Sequence, residues 1–143
     1  VAAVGRLHPD MIIHLGDCWA DAEQLHRKFP MTVMEQVPGN CDCRQEVQER
    51  ILLIEGKKIL ICHGHTFNVK AGYLNLEYAA EERKVDAALF GHTHRVFYDK
   101  HNRIAYMNPG SIGQPPYGIP PSYGILQVDG SSNTDVIYLE ENN

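Results

Sequence analysis

The chain has 143 residues, 43% of them apolar and 22% charged, with a formal net charge of −5. That is the size and composition of one ordinary globular domain, and the mild acidity argues against stable nucleic-acid binding, which needs a basic footprint. No apolar run approaches the ~20 residues of a membrane-spanning helix, and the N-terminus carries no basic, apolar and small-residue leader pattern, so a cytoplasmic protein without a membrane segment is expected.

In chain order, Val1 to Leu7 reads as the end of a helix, broken at His8-Pro9-Asp10. Met11 to Leu15 is an almost wholly apolar strand, as expected where both faces are covered. Trp19 to Phe29 places Ala22, Leu25 and Phe29 at helical spacing and stops at Pro30. Thr32 to Val37 is the next strand. Glu46 to Ile54 leads into a turn at Glu55-Gly56-Lys57 and the strand Lys58 to Cys62, a hairpin. Gly72 to Lys84 is a helix, and Asp86 to Phe90 another buried strand. Val96 to Tyr98 and Arg103 to Met107 form a hairpin around Lys100-His101-Asn102. Asn108-Pro109-Gly110-Ser111 is a turn. Gln114 to Pro121 is an irregular Pro- and Gly-rich loop, with Tyr117 on a cleft rim or at the contact of a homo-oligomer. Tyr123 to Val128 and Thr134 to Leu139 form a last hairpin. Strand–helix alternation followed by hairpins suggests two packed sheets with helices outside.

Four of the apolar runs end in residues that bind metal ions. The first ends in Asp17, and the second, after Pro38-Gly39, in Asn40. The third ends in His63 with His65 two further on, and the fourth in His92 with His94 two further on. In open α/β sheets, ligands gather beyond the carboxyl ends of the strands. A carboxylate, an amide oxygen and several imidazoles delivered to one edge make a mixed oxygen and nitrogen donor set. Such a set suits Mn, Fe, Ni, Zn or Co. A two-metal cluster binds a phosphoryl oxygen, lowers the pKa of a bridging water and stabilises the leaving group. Phosphate-ester hydrolysis is the reaction that most needs all three. The four cysteines are Cys18, Cys41, Cys43 and Cys62. Cys41-Asp42-Cys43 is spaced too tightly for an ordinary zinc pair or disulfide, so reduced thiols are expected. His14, His26 and His101 read as core or surface histidines, and Trp19 as a packing residue at a helix start.

The motifs Gly16-Asp17, Gly39-Asn40-Cys41-Asp42, His63-Gly64-His65, Gly91-His92-Thr93-His94 and Asn108-Pro109-Gly110-Ser111, in this order, resemble those of the calcineurin-like metallophosphoesterases, and within them the small YfcE-like phosphodiesterases. The resemblance covers nearly the whole chain. It implies a four-layer α/β/β/α sandwich of two mixed sheets and a binuclear centre acting on a small phosphate ester, most readily a phosphodiester. It implies two divalent ions, manganese first, with Fe, Ni, Zn, Co or Mg as alternatives. Carried over residue by residue, Asp17 bridges the two metals. Asn40, His63 and His92 complete one site and His94 serves the other, while Asn40 and His65 contact the substrate phosphate.

The sequence departs from the family pattern at two points. The family opens with a strand ending in Asp-x-His, which supplies further ligands to the metal that His94 serves. No such motif precedes Asp17, and His8 follows a helix rather than a strand. The expectation is therefore a single domain over 1–143, N-terminally incomplete and lacking its first strand, with a weak second metal position. Where many members have His after the Asn, helped by the next acid in protonating the leaving group, this chain has Cys41 followed by Asp42. A thiol with a pKa near ~8.5 is a poor general acid, which points to good leaving groups or another proton source. The alternative function is a non-catalytic scaffold of the same fold, as in the retromer subunit, although a scaffold has no need of Asp17, Asn40, His63, His92 and His94.

Overall fold

Alternation along the central strands divides the protein into layers. The computed structural model describes residues 2–42, 48–128 and 133–138, the last stretch and residues 2 and 3 by backbone alone. Its elements are α1 (Ala2–Leu7), β1 (Met11–His14), α2 (Trp19–Lys28), β2 (Val33–Gln36), β3 (Glu49–Ile54), β4 (Lys57–Cys62) and a 3-10 turn (His65–Phe67). These are followed by α3 (Leu74–Glu82), β5 (Ala87–Leu89), β6 (Val96–His101), β7 (Ile104–Pro109), β8 (Ser122–Gln127) and β9 (Asn133–Tyr138). The order β3-β4-β5-β7-β6 makes one mixed sheet, in which β4, β5 and β7 run parallel and β3 and β6 are antiparallel edges.

On a strand, successive side chains point to opposite faces. One face of this sheet carries Leu60, Cys62, Ala88, Phe90 and Tyr106, which pack under Leu76 and Ala80 of α3. The other carries Ile59, Ile61, Ala87, Leu89, Ala105 and Met107, which meet Met11, Ile13 and Leu15 from β1 and its exit, Val37 after β2 and Leu126 of β8. The parallel pair β1–β2 and the hairpin β8–β9 thus form the second β layer. Among the described residues β1 pairs only with β2, and β8 only with β9. Outside this layer lies α2, which buries Ala22 completely and lines one groove together with Met34 and Gln36 of β2. The result is the expected α/β/β/α sandwich. Phe90, Ile59, Leu60, Ile61 and Leu76 are fully buried, each worth about 1.5–3 kcal/mol of transfer free energy.

Several local expectations need correction. Asn108-Pro109 is not a turn but the end of β7, paired with Phe97 and Val96. The strand β5 has already ended opposite Met107, so the proline breaks no ladder on that side. The β6–β7 hairpin is tighter than expected. It turns at Asn102 and Arg103, both at positive φ (50° and 65°), as a two-residue hairpin loop demands, and so Asp99 to His101 join the strand. The 3-10 turn at His65–Phe67 was not anticipated. Tyr73 caps α3 instead of lying in it, and stacks near Phe97 and Phe90 with ring centroids 4.4 and 5.4 Å away. Cys43 and the turn of the last hairpin at 129–132 lie outside the described residues.

Candidate metal centre

Parallel strands deliver their carboxyl ends to the same rim, and the residues just past those ends converge. The Nε2 of His63 lies 3.2 Å from Asp17 Oδ2, 3.1 Å from Asn40 Oδ1 and 3.1 Å from His92 Nδ1. Donor atoms of Asp17, His63 and His92 all fall within 4.8 Å of one another. His94 Nε2 is 3.8 Å from the same Asp17 oxygen. The ring of His65 stands 5.3 Å from that of His63 and 6.1 Å from that of His92. All the residues expected at the rim of β1, β2, β4 and β5 are therefore brought together.

Hydrogen bonds fix which atoms face inward. His63 Nδ1 is 2.8 Å from the Leu15 carbonyl, which can only accept, so Nδ1 carries the proton and Nε2 presents a lone pair to the cluster. His94 Nδ1 donates to the Gln114 carbonyl at 3.0 Å in the same way, leaving its Nε2 toward Asp17. Burial pushes the His63 imidazole below its ordinary pKa, against the opposing pull of the Leu15 hydrogen bond and Asp17. Burial, then His63, then Lys70 push that of His92 down to about 4. Both rings are thereby kept neutral, as metal ligation requires.

The loops carrying these groups are held in unusual backbone. Asp17, His92 and His94 have φ of 75°, 68° and 59°, a region non-glycine residues seldom enter. Two glycines allow the β1 and β2 exits to touch. A Cβ on Gly39 would sit 2.1 Å from Asp17 Oδ1, and one on Gly16 would sit 2.6 Å from the Gly39 nitrogen. Asp42 ties the same two loops together. Its Oδ2 accepts from the backbone N–H of Asp17 and of Gly39, each at 2.8 Å, and its Oδ1 from that of Trp19 at 3.0 Å. Burial tends to raise the Asp42 pKa, but these three donors outweigh it and the net shift is downward. The Cys41 N–H donates to Asp17 Oδ1 at 3.1 Å. His14, read as a core histidine, accepts from the Gly16 N–H at 3.2 Å and supports the same bend. The Cys41 side chain is exposed and outside any disulfide.

Sequence reasoning missed the part played by Asn108. It is fully buried; its Nδ2 donates to the Gly91 carbonyl at 3.0 Å and to Thr93 Oγ1 at 2.9 Å, and its Oδ1 accepts from the Gly110 N–H at 2.9 Å. The side chain braces the His92-Thr93-His94 loop. The available signal was an amide at the end of a strand next to the one bearing those histidines.

The described chain matches a family profile, that of the calcineurin-like phosphoesterase superfamily domain, over residues 1–131. The chain belongs to this superfamily. It is 35% identical over 136 residues to the probable metallophosphoesterase YsnB of Bacillus subtilis, covering 94% of this chain and 78% of YsnB. It is 30% identical over 114 residues to phosphodiesterase YfcE of Escherichia coli K12, covering 80% of this chain but only 50% of YfcE. In structure it resembles a predicted phosphoesterase from Streptococcus pneumoniae TIGR4 at a TM-score of 0.80 and 26% identity, covering 96% of this chain and 79% of that one. Membership of this superfamily implies divalent metal ions, and these require a group of close oxygen and nitrogen lone pairs.

The donor set fits that requirement at one position. Asp17 Oδ2, Asn40 Oδ1 and the Nε2 of a neutral His63 are all electron-pair donors, packed within 3.1–3.2 Å of the His63 nitrogen. With Nδ1 holding the His63 proton, these lone pairs face one point, an arrangement that a cation among them would stabilise. Around the second position the described residues offer Asp17 and His94. No helix among the described residues is long and apolar enough to cross a membrane.

Proposed function

We propose that this protein hydrolyses small phosphodiesters with a centre of two divalent metal ions, manganese first among them. The observation that carries this reading is the meeting of Asp17, Asn40, His63 and His92 around one point at the strand ends. Asp17, Asn40, His63 and His92 would hold one ion, and Asp17 with His94 the other. When bound, such ions polarise the phosphoryl group and supply a water-derived nucleophile at neutral pH.

The chain's own residues do the rest. Asn40 and His65 orient the phosphoryl group. The His65 ring stands 5.3 Å from that of His63 and 6.1 Å from that of His92, beside the point where the phosphoryl group would sit. Asp42 acts as a clamp on the ligand loops and not as a proton carrier, because both its oxygens already accept backbone N–H groups. With Cys41 a weak acid beside it, the enzyme suits esters whose leaving group departs without a strong proton donor, such as aryl esters. The thiols of Cys18, Cys41 and Cys62, all outside disulfides, support a cytoplasmic setting. A scaffold would not need this ligand set, nor the strained backbone at Asp17, His92 and His94 that presents it.

The test is hydrolysis of bis(p-nitrophenyl) phosphate with added manganese. Turnover is expected, to be abolished by chelation and restored by metal. Turnover that survives exhaustive chelation would contradict the proposal.

A further inference from the structure

The end of the sandwich opposite the metal centre holds a cavity with no assigned role. Its volume is about 300 Å³, at the lower end of the range for small-molecule sites. The strand β4 starts there at Lys57 and reaches the metal rim at Cys62, so the two places lie on the order of 20 Å apart.

Strand register explains what lines the cavity. Ile59, Ala87 and Ala105 are neighbours across β4, β5 and β7, and they form a floor on the face that meets the second β layer. Leu126 of β8 lines it from that layer. Lys57 lies two residues before Ile59 and so points to the same face. Lys100 pairs with Ala105 across the β6–β7 ladder and shares that face as well. Arg103, in the turn between those two strands, also lines the cavity. Three cations thus gather over an apolar floor.

These charges are not cancelled within the lining. The one carboxylate there, Asp86, is engaged elsewhere, its Oδ2 accepting the backbone N–H of Lys58 at 2.9 Å. The side chains of Lys57, Lys100 and Arg103 make no hydrogen bond or ion pair with any described residue. Three cations and one carboxylate give the lining a net charge of +2, in a chain whose formal charge is −5. A positive concavity with an apolar floor is placed to take an anion that carries an apolar body.

We infer that this cavity binds a small organic phosphomonoester. Arg103, Lys57 and Lys100 hold the phosphoryl group, and the apolar body lies on Ile59, Ala87, Ala105 and Leu126. The guanidinium fork matches two phosphoryl oxygens, while the ammonium groups act as point charges. A phosphoryl dianion balances the charge of the lining. The site lies apart from the metal centre, and its ligand binds whether or not that centre hydrolyses phosphodiesters.

The experiment is calorimetry with phenyl phosphate on the full chain carrying Asp17→Ala, so that anions captured at the metal centre do not contribute. One molecule bound per chain is expected, more weakly as salt rises. On that background Lys57→Gln, Lys100→Gln and Arg103→Gln should each raise Kd by roughly tenfold or more, the effect of one charge-assisted hydrogen bond. Lys100 and Arg103 are exposed, so their variants test the site even where Lys57→Gln fails to fold. Lys28→Gln, on α2 and outside the cavity, should leave Kd unchanged. Inorganic phosphate, without the apolar body, should bind more weakly, and phenol, without the charge, more weakly still. No binding of phenyl phosphate to the Asp17→Ala protein would overturn the inference, as would a Kd unmoved by Lys100→Gln and Arg103→Gln. Succinate bound as tightly as phenyl phosphate would overturn the choice of a phosphoryl group.

Discussion

The two halves of the candidate centre are built differently. The imidazole half stands on β4 and β5, with β7 alongside. These central strands are buried on both faces, and His63 itself is 2% exposed. The oxygen half, Asp17 and Asn40, stands on loops leaving β1 and β2, a pair with no other strand partner among the described residues. There the order comes from side-chain-to-backbone bonds through Asp42 and from close glycine contacts. Packing places the nitrogens, whereas a polar clamp places the oxygens, so the second half should be the easier to disturb by a single change.

The largest effect should come from Asp17→Ala, which removes the one carboxylate among the described residues that lies within 4 Å of both His63 and His94. Activity should fall below detection in an aryl phosphodiester assay while thermal unfolding stays close to wild type. Gly39→Ala should be nearly as damaging, because the added Cβ would lie 2.1 Å from Asp17 Oδ1. Here the measurement is metal affinity by calorimetry, and an affinity equal to wild type would break the contrast drawn between the halves. Asp42→Ala leaves three backbone N–H groups without their acceptor. It should cost about 1–3 kcal/mol of stability and weaken metal binding by roughly 10–100-fold, seen in denaturant titration and calorimetry. If Asp42 were instead a proton carrier, kcat would fall with metal affinity intact. Asn108→Ala tests the imidazole half. The expected cost is again about 1–3 kcal/mol, but with a smaller loss of metal affinity, since the central strands remain. Cys41→Ser should have the least effect of all, with activity near wild type.

The sequence made the imidazole half legible because burial there follows from composition. Ile59 to Cys62 and Ala87 to Phe90 are apolar on both faces, and an abrupt His after each can only be a strand end. The motif order then carried the fold, and the family profile bears it out. The clamp was not legible. Asp42 reads as a partner of Cys41 because it is adjacent in sequence, yet its bonds go to Asp17, Gly39 and Trp19, a choice made by how two loops cross in space. Asn108 was hidden for a related reason. Asn-Pro-Gly is a strong turn signal locally, but pairing with Phe97 keeps the chain extended through Pro109. The left-handed conformations of His92 and His94 cannot be read from residue type either, since histidine has no preference strong enough to announce them. They are imposed by the Asn108 brace and the Gln114 carbonyl.

The convergence of donors at one rim is tested most directly by a crystal structure of the protein soaked with manganese. The account predicts anomalous scattering at a point contacted by Asp17, Asn40, His63 and His92, with a second peak between Asp17 and His94. Manganese bound elsewhere, with those four side chains left uncoordinated at saturating metal, would contradict it.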